Sequence, residues 1–339
     1  MRSKLFNLIA LTVISISFIF GGCGGGGGGS GGDGGDGGDG SSSISYTGNT
    51  APAQVEGENA QDLVVGAFIG SDLGVAVIPL SLEQSAVTDA KQTISKPINL
   101  PLLFKNAIDL ADKSGVDTST AAAVQTDTGT IDGSCGGSAS YTLRVDDQTG
   151  DFSGTFKFSN YCDEGITISG SVTVNGDINL NTDEIEFLSV TFSNLSAEGM
   201  TIQGDISIDA TATPMVINME YLLKDNETGK VYLINNYVLL LTEGTDFVEV
   251  EIEGSAGSRF YDHDFGYVNL STTDPFIIYE DDYYPTSGVL VCVGENNTKA
   301  RLTSVDNSSY QVEADTDGDD NYETDLGVFL WEDLTLLYR

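Results

Sequence analysis

The sequence predicts a mainly β protein: a large curved antiparallel meander sheet, open or partly closed like a barrel. One or two N-terminal helices are expected on it, followed by a smaller C-terminal β segment. Three observations lead there. From Ile131 onward apolar residues recur with a period of two. Apolar residues make up 40% of the chain, so its high charge does not make it a disordered one. One hairpin can be registered residue by residue from its pattern alone.

The first segment is residues 1–22. Arg2 and Lys4 precede an unbroken, mostly apolar run from Leu5 to Phe20, and Gly21 and Gly22 lead into Cys23. The run is shorter than the roughly 20 residues a bilayer core demands, so it reads as a cleaved export signal rather than a permanent span. These positions resemble a bacterial lipoprotein signal peptide, although Phe20 stands where that pattern favours Leu. The resemblance implies cleavage before Cys23 and acyl chains, palmitate among them, on that cysteine. Gly24, with no aspartate in its place, resembles the outer-membrane sorting pattern. It implies a lipid-anchored protein of the cell outer membrane, on its periplasmic face or at the cell surface. A soluble secreted protein with an incidental Cys23 is the alternative.

Residues 23–45 carry the lipidated cysteine and a tether. Positions 24 to 43 are almost pure Gly, Ser and Asp, with three Gly-Gly-Asp triplets. No side chain there can pack, and as a random coil the tether would extend about 25 Å. Removal of residues 1–22 takes two of the 14 basic residues and no acidic one, leaving 12 against 51 and a net charge of −39. Such a surface repels nucleic acid and anionic headgroups and favours cationic or basic envelope partners.

Residues 46–130 read as a mixed helical region and linker. Asn59 with Asp62 marks a helix start, and Leu63, Val64, Ala67 and Phe68 form its stripe. A second helix is expected over 101–114, opened near Pro101 and stopped by Gly115. Residues 116–130, rich in Thr, Ala and Asp, read as a linker.

Residues 131–254 form the expected antiparallel sheet. A turn centred on Gln148-Thr149 sets Val145 opposite Phe152, Tyr141 opposite Phe156 and Ala139 opposite Phe158 on one face. The same register places Cys135 opposite Cys162, which predicts a disulfide closing the hairpin in an oxidising compartment. Ile166 to Leu180 keeps its apolar residues on even positions. Asn175-Gly176 would ordinarily signal a hairpin, but that turn would oppose Val174 to Asp177. A continuous strand near 50 Å long keeps one clean apolar face instead. Gly170 and Gly176 fall on that face and permit bending or close packing. Phe152–Phe158, Ile168–Val174 and Ile202–Ile208 share one layout, with glycine third between apolar residues. Lys224 to Lys230 is a hairpin turn between two further strands.

Residues 255–339 form the C-terminal β segment, a smaller sheet or an extension of the first. Its Asp315-Thr-Asp-Gly-Asp-Asp-Asn-Tyr-Glu323 stretch places carboxylates at alternate positions, as hard cations prefer. Asp315, Asp317, Asp319, Asp320 and Glu323 are the candidate calcium ligands. The pattern departs from the EF-hand at Asp320 and Leu326, and an acidic hairpin tip is the plainer reading. No other cofactor is expected. His263 is the sole histidine, so any histidine-based mechanism must use it. No nucleophile elbow accompanies it, and it reads as a loop residue paired with neighbouring aspartates. Tyr261, Phe265, Tyr267, Tyr279, Tyr283 and Tyr284 surround acidic residues, a patch for sugar stacking or for ordinary packing. Cys292 reads as a small buried residue.

Tyr46-Thr-Gly-Asn-Thr-Ala-Pro-Ala53 and the stretch from Ser287 to Asp315 resemble uncharacterised, glycine-tethered, β-rich envelope lipoproteins. The resemblance implies an envelope location and brings no activity. The expectation is a non-enzymatic anchored module with a structural or adhesive binding role. The alternative is a carrier of a hydrophobic or lipid ligand in the concave face of an open sheet.

Overall fold

A computed structural model describes residues 43–76, 124–163, 165–182, 184–197, 199–279, 282 and 284–334. Cys23, the tether up to residue 42 and the helix expected over 101–114 lie outside the described residues. Within them, one antiparallel sheet of 15 strands runs as a meander. Its first half comprises β1 (Val124–Asp132), β2 (Gly136–Asp146), β3 (Asp151–Asp163), β4 (Ile166–Asn179), β5 (Glu184–Ala197), β6 (Met200–Asp209), β7 (Met215–Asp225) and β8 (Val231–Glu243). β9 (Phe247–Ile252) and β10 (Arg259–Asp262) then share one place between β8 and β11, separated by a single 3₁₀ turn at Gly254–Ala256. β11 (Gly266–Tyr279), β12 (Ser287–Val293), β13 (Lys299–Asp306), β14 (Ser309–Asp315) and β15 (Thr324–Leu330) complete it. The C-terminal segment is thus an extension of the first sheet, and β1 does not pair with β15, so the sheet does not close.

The expected hairpin register is the observed one: Val145 pairs Phe152, Tyr141 pairs Phe156 and Ala139 pairs Phe158. Asp146 shapes the turn, its Oδ1 accepting from the amide of Gln148 at 2.9 Å. Cys135 and Cys162 form the disulfide, with Cα atoms 5.1 Å apart. Their register differs by one step, because a bulge in β3 brings Gly136 opposite Cys162. Residues 166–179 are one strand, and Asp177 pairs Asp151 and Phe187, not Val174.

β1 begins at Val124, so residues 124–130 are strand and not linker. Their pattern hides it: Thr126, Thr128 and Thr130 face solvent, while Asp127 and Gly129 occupy inward positions. Tyr141 fills that space, its hydroxyl donating to Asp127 Oδ2 at 3.2 Å, and a Cβ on Gly129 would lie 2.5 Å from the tyrosine ring.

The sheet bends at recurring bulges. Asn160, Asn194 and Asn236 adopt positive φ of 46°, 48° and 53°, each beside a register shift in β3, β5 or β8. Asparagine tolerates this left-handed region better than most residues, and each bulge adds local bend and twist. Gly170, with φ of 110°, lies against Asn194, where a Cβ would stand 2.2 Å from the Asn194 carbonyl oxygen.

Helix α1 (Ala60–Ala76) lies on the inner face against β7, β8, β10 and β12 to β14. Leu63, Val64 and Ala67 are fully buried. Gly66 and Gly70 let the helix backbone approach the sheet, since Cβ atoms there would meet Phe260 at 2.4 Å and Ile234 at 2.9 Å. Tyr221 donates to the Gly70 carbonyl at 2.7 Å. Asn59 precedes the helix but braces the incoming chain: its Oδ1 accepts from the Glu56 amide and its Nδ2 donates to the Gln54 carbonyl. Phe68 reaches an aromatic cluster around fully buried Trp331, which also meets Tyr284 and Tyr310.

Before the helix, residues 44–55 run as a strap across one end of the sheet. The Ile44 amide donates to Gln203 Oε1 in β6, and Tyr46 Oη donates to the Asp262 carbonyl, each at 2.8 Å. Pro52 bridges Tyr267 in parallel, the Glu295 amide donates to the Ala53 carbonyl, and the Val55 amide donates to Thr298 Oγ1.

Candidate cation-binding loop and adjoining groove

The loop 316–323 joins β14 to β15. Asp315, fully buried, closes β14 and organises the loop. Its Oδ1 accepts from the amides of Gly318 at 2.7 Å and Asp319 at 3.3 Å, and its Oδ2 accepts from Asp320 at 2.9 Å. Glu323 Oε1 accepts from the Thr316 hydroxyl and amide, which hold its carboxyl below the ordinary value. Asp317 and Asp319 each accept the amide two residues on. Carboxylate oxygens of Asp315, Asp317, Asp319 and Glu323 lie within 4.8 Å of one another. Asp320 is left out: it has positive φ of 71° and pairs with Lys299.

This set fits calcium in part. Calcium takes 6–8 oxygens, and three of the four gathered carboxylates are exposed and open to water. The fourth, Asp315, already accepts three backbone amides, which organise the loop.

Tyr322 carries the same loop over the outer face of the sheet. Its ring lies 3.9 Å from the Arg301 guanidinium carbon, close enough for cation–π attraction. Arg301 donates from Nε at 3.0 Å and Nη2 at 2.6 Å to Glu313 Oε2, directly across from it in register. Beside this unit is a groove of about 540 Å³. Val289 and Val291 of β12 form its floor, and Asp274 of β11, Thr303 of β13 and Gln311 of β14 are among its walls. Val291 points outward yet is only 8% exposed, because neighbouring side chains cover it. The groove escapes sequence reading because its residues come from four strands and one loop. Only the pairings Val289–Thr303–Gln311 and Val291–Arg301–Glu313 bring them together.

The other candidates are placed as follows. His263 sits in the β10–β11 turn, where Nδ1 accepts the Val231 amide at 3.2 Å in place of the expected aspartate pairing. Its neighbours bond elsewhere: Asp262 Oδ1 accepts the amides of Asp264 and Phe265, and Asp264 pairs with Lys230 at 2.6 Å. Burial, with Asp264 and Asp62 adding repulsion, raises the Asp262 carboxyl above its usual range despite those amides. Cys292 is fully buried, and desolvation pushes its thiol far up, as expected of an inert packing residue. The aromatic patch is dispersed. Tyr261 meets Tyr46 and Tyr267, Tyr279 meets Phe247, and Tyr284 joins Trp331. Tyr283 is outside the described residues.

No family model matches the chain, and neither does any curated protein or solved structure.

Proposed function

We propose that the chain is a lipid-anchored protein of the bacterial cell envelope, held at the outer membrane through Cys23, with a non-enzymatic structural or adhesive binding role. The observation that carries the non-enzymatic part is the use made of the sole histidine. His263 Nδ1 serves a backbone amide in a turn, and no serine, threonine or cysteine side chain bonds to the ring among the described residues. Anchoring rests on the resemblance of residues 1–23 to lipoprotein signals. Support for a membrane-distal module comes from the strap, which joins the tether side of the chain to several turns at one end of the sheet.

Fractionation of cells carrying the Cys23→Ala variant tests the anchor: the protein should move from the membrane to the soluble fraction. A hydrolysis screen on the purified chain tests the absence of catalysis, and turnover abolished by His263→Ala would overturn it. The exposed carboxylates of loop 316–323 are the candidate contact for calcium. Calorimetric titration should give heat with calcium that Asp317→Asn and Asp319→Asn remove.

The carrier reading has less support. Inward side chains such as Phe156, Val172, Val190, Ile206 and Met219 are already buried, and α1 occupies the inner face from β7 to β14. Lipid retained on the chain in native mass spectra would reverse that preference.

A further inference from the structure

We propose that the outer-face groove over β11 to β14 is a binding site for one or two units of a neutral carbohydrate. The inference rests on the reading of the chain as a binding module and names what that module takes.

Size comes first. The groove, about 540 Å³ and more open to solvent than enclosed, has room for one or two sugar rings lying against the sheet. The lining is the second point. Val289 and Val291 make an apolar floor for the C–H side of a ring. Around it, Thr303, Gln311, Asp274 and the Arg301–Glu313 pair alternate hydroxyl, amide, carboxylate and guanidinium groups. A polyol, whose hydroxyls each donate and accept, can satisfy such a mixed rim. A purely apolar ligand cannot.

Charge is the third point. Glu313 is neutralised by Arg301, which leaves Asp274 as the one lining carboxylate outside an ion pair of the described residues. An anion would approach against the field of a chain with formal charge −37. A neutral ligand meets no such barrier.

Rigidity is the fourth. The floor and the Arg301, Thr303, Gln311 and Glu313 wall stand on paired strands, which hold their spacing better than a loop does. Arg301 is held twice, by Glu313 and by the Tyr322 ring, so little side-chain freedom remains to be lost on binding. On the opposite wall, β11 shifts register between Thr272 and Asp274, and Thr273 and Asp274 line the groove there. A bulge in that place commonly re-aims a side chain next to a site.

The test is saturation-transfer NMR on the full chain with cellobiose, maltose and chitobiose, and with spermidine as the cationic probe. At least one disaccharide should receive saturation at millimolar concentration. Thr303→Val and Asp274→Asn, both at half-exposed or exposed positions, should each weaken that signal about tenfold, as loss of a ligand hydrogen bond does. Circular dichroism checks that the variants fold. Three results overturn the proposal: no disaccharide binding, sugar binding that both variants leave intact, or binding of spermidine alone. None of them bears on the Cys23 anchor or on the absence of hydrolysis, so the groove can fail while the broader reading stands.

Discussion

The two halves of the sheet use their outer faces differently. Over β1 to β5 one row of that face is uniform. Thr128, Thr142, Thr155, Thr173 and Thr191 pair in sequence across five neighbouring strands. Side-chain pairs of this kind stabilise a sheet by a few tenths of a kilocalorie each. Over β11 to β15 the equivalent row reads Asp274, Val289, Thr303, Gln311 and Val328, four different chemistries in five positions. The strands there are short, seven or eight residues from β12 to β15, against 13 or 14 from β3 to β5. The contrast teaches that repetition makes a scaffold and variety makes a site. The varied half is also the one braced from inside by α1 and Trp331.

That contrast can be broken most severely at Trp331. Trp331→Ala removes the centre of the aromatic cluster and the Nε1 bond to the Asp306 carbonyl, and should cost about 3–5 kcal/mol in urea unfolding. Hydrogen exchange should show the loss concentrated in β12 to β15. Protection lost equally from β2 to β4 would mean that the halves are one cooperative unit.

Next is the disulfide, which belongs to the scaffold half. It closes a separation of 27 residues, so Cys135→Ser with Cys162→Ser should cost about 3–4 kcal/mol by the chain-entropy account. Fraying should be confined to β1 to β3, with sugar binding in the groove unchanged.

Gly170→Ala should cost about 1–3 kcal/mol, because φ of 110° is strained for alanine and the new methyl meets the Asn194 carbonyl. A neutral result in thermal melts would show that the bulge at Asn194 relaxes, and that the bend of this half is not set there.

The smallest effect is expected at Asp262. Its folded carboxyl titrates above the unfolded value, chiefly because of burial, so the native state binds its proton more tightly. Stability from this group is therefore present in acid and declines as pH rises from the ordinary aspartate value through the raised one. Asp262→Asn keeps an acceptor for the two amides and should flatten that decline. Urea midpoints across the window measure it, and an unchanged slope in the variant would remove Asp262 from the account.

Much of the scaffold half was legible because its chemistry repeats. Alternation from Ala139 to Phe158 set a register that the structure reproduces, and even-position apolar residues identified β4 through its misleading Asn175-Gly176. Features that depend on a partner strand were not legible. β1 carries Asp127 and Gly129 where apolar residues would signal a strand, and only Tyr141 on β2 explains them. The bulge at Asn160 shifted the cysteine register by one because a left-handed asparagine leaves no periodic trace. In the varied half, Asp315, Asp317, Asp319 and Glu323 were visible as a group through close spacing. Local spacing groups Asp320 with them, since nothing in the sequence reveals that it turns to Lys299. The groove had no sequence signal, because Val291, Arg301 and Glu313 become neighbours only by pairing.

The strap over residues 44–55 has a mechanical consequence. A chain pulled from its N-terminal side would load the bonds to Gln203, to the adjacent Asp262 and His263, to Tyr267 and to Glu295, because they belong to four places along one end of the sheet. Bonds loaded side by side resist a force that would unzip them one at a time. The strap is therefore a reinforced part of the molecule against a pull from its N-terminal side.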